Sequence, residues 1–292
     1  MSTGMRMSAR TSHAQPSRRS GPRLNARVTR ALWKIGVVAA VVAMWEWRAR
    51  AAENVYFPPP TAILARMREA WFSGPFTHAF LTDEAIANFP PSLGRMFGGW
   101  GLACLAGIVL GVALGRSDTL AAFVDPLIQF GRAVPPPTLI PIFLVLLKAD
   151  TRVQLATIMY GVIWPVLINT IDGARYIDRL HDDTAQVFGL TRAQRLFRII
   201  LPAAAPKIFA GLRLSLALSL ILIVVSELAG GSTNGIGYEL LVAKSMYDLA
   251  GMWGVIVLLG LLGYLFNASF LLVERRVLAW HRKQSDPHTS ER

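Results

Sequence analysis

Six stretches of this chain stay apolar for close to the length of about 20 residues that a helix needs to cross the hydrocarbon of a bilayer. They fall near 32–50, 95–115, 120–147, 152–172, 206–229 and 251–273. The fold class they predict is all-α: a polytopic membrane protein of about six transmembrane helices. Composition enters as a check on this. A content of 53% hydrophobic and 16% charged residues over 292 positions is not that of one or two soluble domains.

The net charge of +12 could serve nucleic-acid binding, but the basic residues gather at segment ends and in the two tails instead of forming a stripe on a folded domain. Counted as topology, they put both termini in the cytoplasm. Arg116, the basic loop over 173–207, and Arg275 and Arg276 fall on the same side, and 51–94 and 230–250 fall outside. The division is a disordered basic cytoplasmic tail over 1–31, a transmembrane domain over 32–280 with a cytoplasmic loop at 173–206, and a second tail over 281–292. Arg18-Arg19 is not followed promptly by an apolar run, so it does not read as an export signal. The single cysteine, Cys104, sits in an apolar run, so no intrachain disulfide and no cysteine metal site is expected.

The third stretch contains Pro135, Pro136, Pro137 and Pro141, which remove backbone donors and predict a kinked or discontinuous helix supported by protein neighbours. In the second, Gly107, Gly111 and Gly115 recur every four residues and predict close helix contact. Polar residues inside the spans are few: Asn169 and Thr170 in the fourth, Ser226 and Glu227 in the fifth. Glu227 needs a partner, and both a gating and a structural role fit it. The run Gly230 to Gly237 lacks the Gly-Lys-Ser/Thr ending of a phosphate cradle and predicts a turn-rich outer loop.

Between the fourth and fifth spans the chain reads Asp183-Thr184-Ala185, three residues, Gly189, nine residues, then Ile199-Ile200-Leu201-Pro202. Asp183 with Gln186 has the form of a capping box, Gly189 can end a helix in left-handed geometry, and Thr191 with Gln194 can cap the next helix. Pro202 predicts that this second helix stops or bends. Arg192, Arg195 and Arg198 share one face of it, and Leu196 and Ile200 share another. Such a helix suits anionic lipid headgroups or a protein groove, and the glycine-centred spacing favours the groove.

This pattern resembles the cytoplasmic E-A-A, x3, G, x9, I-x-L-P loop of permease subunits in binding-protein-dependent ABC importers. Ala185, Gly189, Ile199, Leu201 and Pro202 match in register, with Asp183 in place of the glutamate and Thr184 at the small second position. Resemblance to the nitrate/sulfonate/taurine branch runs from about Phe57 to Trp280, through Arg132 to Pro141, Pro165 to Gly173, and Glu227 with Asn234 to Tyr238.

The resemblance implies a homodimeric pore in the bacterial inner membrane, two copies of an ATPase subunit, and a solute-binding protein delivering cargo from outside. Asp183, Thr184, Ala185, Gly189, Ile199, Leu201 and Pro202 would couple to the ATPase. Pro137, Pro141, Asn169 and Glu227 are candidates for the pathway or its gating. The cargo it implies is a small organic or inorganic anion such as a sulfonate, taurine or nitrate. No Walker A sequence is present, so the chain is expected not to be an enzyme, with ATP and Mg on the partner and no cofactor or metal of its own. An ion-coupled secondary transporter is the alternative.

Overall fold

The computed structural model describes residues 23–52, 55–175 and 189–279. The chain divides into two compact units, Met1–Glu53 and Asn54–Arg292. The first contains α1 (Arg23–Ala52). Lys34 closes its uncharged run at one end, and Glu46, Arg48 and Arg50 close it at the other.

Among the described residues the regular elements of the second unit are all helical. These are α2 (Pro60–Trp71), α3 (Asp83–Gly115), α4 (Asp118–Ala133), α5 (Ile140–Leu147), α6 (Thr151–Arg175), α7 (Arg192–Arg195), α8 (Leu201–Ser226), α9 (Ile236–Ser245) and α10 (Leu249–Val277). Among the described residues four helices are long and apolar enough to span a membrane, within Phe76–Gly115, Thr151–Arg175, Arg192–Ala229 and Leu249–Val277. A fifth span is formed if α4 and the segment Pro136–Leu147, bent 85° from each other, count as one. The proline-bearing stretch is therefore discontinuous, as its sequence predicts: Pro135 leads into a single 3-10 turn over Pro136–Leu139 before α5 resumes. Of the six expected spans, the one near 32–50 falls in α1, which is not among these.

Two boundaries differ from the sequence reading. The second span, expected from 95, belongs to a helix beginning at Asp83. Thr82 caps it by accepting a hydrogen bond from the Ala85 amide at 3.2 Å, and Asp83 and Glu84 meet the positive end of the helix dipole. Pro90 and Pro91 are carried inside this helix instead of starting it. The expected outer loop over 230–250 contains a helix, α9, with Glu239 in its first turn and Lys244 in its last, charges placed to suit its dipole.

The core lies where α3, α6 and α8 pack. Here Met96, Ala103, Ile158, Val162, Leu216 and Ile223 are buried together, with Phe270 of α10 closing one side. The glycine seam on α3 explains how closely α6 approaches. A Cβ at Gly107 would lie 2.9 Å from Val166, at Gly111 2.5 Å from Thr170, and at Gly115 2.8 Å from Ala174. Each partner is four residues on from the last, so two helices run against each other over two turns with no room for side chains between them.

Candidate functional site

The segment read as a docking loop is resolved from Gly189 onward. Asp183, Thr184, Ala185 and Gln186 lie outside the described residues. Gly189 adopts φ +62°, the left-handed geometry expected of it, and is exposed with nothing within 4 Å of where a Cβ would stand. Thr191 then forms both halves of a capping box. Its Oγ1 accepts from the Gln194 amide at 3.3 Å, and its own amide donates to Gln194 Oε1 at 3.0 Å.

The helix so begun does not stop at Pro202. It passes through a π-turn, Leu196–Ile200, in which the Leu201 amide donates back five residues to the Leu196 carbonyl, and continues as α8. The extra residue in that turn lets the backbone adjust just before a proline that brings no amide of its own. Ile200 is buried and Leu196, Ile199, Leu201 and Pro202 are half-buried, whereas Phe197 is 66% exposed beside Arg198. The predicted division into a basic face and an oily face holds in part: Arg192 and Arg198 are exposed and Ile200 buried, but Arg195 is half-buried like Leu196, and Phe197 adds an apolar side chain to the exposed side.

At the far end of α8 the arrangement is the opposite. Glu227 is fully buried and is held by three donors. Ser92 Oγ lies 2.7 Å from both carboxylate oxygens, Arg95 Nη1 donates to Oε1 at 3.0 Å, and the Gly237 amide donates to Oε2 at 2.9 Å. Arg95 also donates to Ser232 Oγ and the Asn234 carbonyl, both at 3.0 Å, and to Asn234 Oδ1 at 2.5 Å. Ser92 Oγ accepts from the Ile236 amide at 2.8 Å, and Asn88 Oδ1 accepts from the Gly235 amide at 2.7 Å. Two side chains of α3 thus hold the N-terminus of α9, and a third holds the carboxylate at the end of α8. Gly235, at φ +129°, is obligatory there: a Cβ would stand 2.4 Å from the Glu227 carboxyl carbon.

Asn88 extends this clamp outward. Its Nδ2 donates to the Glu84 carbonyl at 3.0 Å and to the carboxylate of Glu239 on α9. Burial pushes the Glu239 carboxyl up to about 7, and the neighbouring Glu84 carboxylate adds to this, against the Asn88 donor and Arg66.

The four pathway candidates are not gathered in one place. Pro137 and Pro141 are exposed at the broken span. Asn169 is half-buried on α6, where its Nδ2 donates to the Pro165 carbonyl at 2.8 Å and its Cβ would lie 2.9 Å from a Cβ on Gly211. Glu227's hydrogen-bond partners include none of the three. What the sequence reading missed is Arg95 as the counter-ion of Glu227, and Arg213, a charge deeper within the apolar run of α8. The signal for both was a charged residue inside or at the mouth of an apolar run, each requiring a partner of opposite sign. Among the described residues no three His, Cys, Asp or Glu side chains are grouped to hold a metal.

Residues 104–279 match the family of binding-protein-dependent transport system inner membrane components. The chain belongs to that family. It is the permease component of an ABC importer, a multi-pass membrane protein that works with a binding protein and whose ATPase is a separate subunit. Family membership sets aside the ion-coupled alternative. A putative aliphatic sulfonates transport permease of Bacillus subtilis (strain 168) is 29% identical over 85% of this permease and 88% of that protein. A nitrate import permease of Leptolyngbya laminosa is 31% identical over 74% and 78%. The methionine ABC transporter in inward-facing form aligns with a TM-score of 0.57 at 17% identity, over 64% of this permease and 93% of that chain, a likeness of fold alone.

Proposed function

We propose that two copies of this permease form a path for a small oxyanion, a sulfonate such as taurine or nitrate being the leading class, and that two ATPase subunits carrying ATP and Mg drive it from the cytoplasm. A binding protein delivers the solute from outside, and both termini lie in the cytoplasm. The observation that carries the reading is the continuity of the helix from Arg192 to Ala229, which runs from an exposed, glycine-jointed segment straight into a span. A push at that segment by a closing ATPase pair is delivered along the span without an intervening loop. Asp183, Thr184 and Ala185 with Gly189 make the contact, Ile199, Leu201 and Pro202 seat the helix on the membrane domain, and the broken span and Asn169 border the path. The anion class is supported by the names of the relatives, sulfonate and nitrate permeases.

The test is Gly189→Val. A β-branched residue in left-handed backbone costs on the order of 1 kcal/mol or more, and its bulk holds the loop off the ATPase groove. The variant should insert in the membrane yet lose solute uptake and binding-protein-stimulated ATP hydrolysis. Gly260→Ala, on α10 with nothing within 4 Å of its Cβ position, is the control and should transport normally. Parent-rate transport by Gly189→Val with normal subunit association would remove this loop as the coupling element. A reporter fused after Gly173 should read cytoplasmic and one near Asn234 external, and the reverse result would overturn the orientation.

A further inference from the structure

We propose that Arg213, with Asn267 beside it, is a water-facing cationic point on the wall of the transport path that receives the oxyanion group of the passing solute. This rests on the anion reading above. Between Lys207 and Ala229 only two side chains are charged, Arg213 and Glu227, and they are treated in opposite ways. Glu227 is fully buried and saturated with donors. The Arg213 side chain is 46% exposed, and the nearest acidic atom, Glu274 Oε2 on α10, is 3.8 Å from its Nη1, beyond hydrogen-bond reach. That Oε2 is itself buried without a hydrogen-bond partner among the described residues. Glu274 therefore offsets the charge without occupying the guanidinium's five donors.

An ionisable side chain within a membrane span as a rule faces the bundle interior or a water-filled cavity, which favours water over acyl chains as the medium those donors meet. Arg213 and Asn267 are the polar members of one notch of about 20 Å³ between α8 and α10, whose wall is otherwise Leu216, Ala217, Leu220, Gly263 and Phe266. Both helices are among those apolar enough to span the membrane, and acyl chains offer nothing to a guanidinium or an amide. Gly263 is level with Leu220, its Cβ position 3.4 Å from Leu220 Cδ2, so Arg213 lies seven residues, about 10 Å of helix, toward the docking end. The notch holds no more than a water-sized group, so this face acts as a wall and not as an enclosed pocket. A planar fork of donors with an amide alongside matches the oxygens of a sulfonate or nitrate. The nearby Glu274 keeps that attraction weak enough for the anion to leave, as conduction through a path requires.

The test uses the complete transporter, permease with ATPase and binding protein, in phospholipid nanodiscs. This chain's one native cysteine, Cys104, is buried, so Ala217→Cys places one exposed thiol in it, one turn from Arg213, while leaving Arg213 and Asn267 intact; labelling is read on the permease chain alone. Its rate of modification is measured with an anionic reagent, sulfonatoethyl methanethiosulfonate, and with the trimethylammonium analogue. The anionic reagent should react faster, nitrate or ethanesulfonate should protect the thiol, and adding Arg213→Gln should lower the anion-to-cation rate ratio about tenfold. Arg213→Lys should restore most of that ratio.

A thiol that neither reagent reaches through a full ATP cycle would place this face against lipid or a second copy and overturn the proposal. So would a rate ratio unchanged by Arg213→Gln. Protection that follows phospholipid composition and ignores added nitrate or ethanesulfonate would assign the guanidinium to a lipid phosphate, again overturning it. Charge-selective labelling in a transporter that imports neither anion would uphold the cationic wall and fail the solute reading instead.

Discussion

The two ends of α8 solve opposite problems. At the outer end one carboxylate is enclosed by α3, the Ser232–Gly235 turn and the first turn of α9, with donors from α3 and α9, and Arg95 tied on to the turn through Ser232. At the other end the helix begins in an exposed capping box after a glycine that touches nothing, and its first turns are half-buried at most apart from Ile200. One end is over-determined and the other is open to a partner. A lever needs both: a free arm where force arrives, and a fixed point against which it works. Local stability is expected to fall along α8 from Glu227 toward Thr191.

The largest effect should come from breaking the fixed point. Glu227→Ala leaves the Arg95 guanidinium partly buried without its carboxylate, and removing one partner of such a pair costs about 3–5 kcal/mol. Thermal unfolding of the assembled transporter should shift down sharply. The double variant Arg95→Met with Glu227→Met should recover part of that loss, because the uncompensated charge is gone. A double variant no better than Glu227→Ala would show that the hydrogen bonds to Asn234 and Gly237, and not the ion pair, hold the clamp.

Gly235→Ala attacks the same end through the backbone. Its φ of +129° and the Glu227 carboxyl 2.4 Å from the new methyl both oppose it, for an expected loss of about 1–3 kcal/mol. The comparison sharpens at the other end with Thr191→Ala, which removes the acceptor of the Gln194 amide at a cost of about 1 kcal/mol. That loss should appear as faster amide exchange over residues 191–196 with the global unfolding transition unmoved. Equal sensitivity of global unfolding to both variants would mean that the two ends are not differently held.

Much of this contrast was legible in the sequence, and the missing parts have physical reasons. The glycine seam, the broken proline span and the left-handed Gly189 each follow from local chemistry, since a missing Cβ, a missing amide and a positive φ act on their own residue. Glu227 was visible as a lone carboxylate in an apolar run, but Arg95, 132 residues earlier, sat where the second span was expected to begin and so read as a boundary charge. The helical pattern of α9 was masked by the glycine run before it. The π-turn before Pro202 has no composition signal, because it is one extra residue in a helix that otherwise continues. The docking pattern's first half, Asp183 to Ala185, lies outside the described residues, so its capping box stays a sequence expectation.

The smallest expected effect concerns whether the outer end can be tuned by protons. Glu239 on α9 faces Glu84 and Asn88 of α3 and Arg66 of α2, and Arg66 is itself paired at 2.7 Å with Asp248 before α10. Burial first, and the Glu84 carboxylate second, raise its carboxyl to about 7. The folded protein therefore holds a proton there that the unfolded chain, with an ordinary carboxyl near 4.5, releases. Stability from this group is complete below about 4.5 and is lost as pH rises through about 7, the reverse of an acid held below its usual range. Ionising Glu239 places a part-buried charge against the Glu84 carboxylate, next to the Asn88 that accepts from the Gly235 amide, so it should loosen the clamp rather than the docking end. Amide exchange over residues 235–240 should speed up between pH 5.5 and 8 by more than the intrinsic pH effect, judged against the segment 191–196 as an internal reference. Glu239→Gln, neutral at every pH, should remove that excess and match the parent at pH 5.5. If the excess survived Glu239→Gln, the carboxyl would not be the sensing group, and the outer end would be fixed at all pH values.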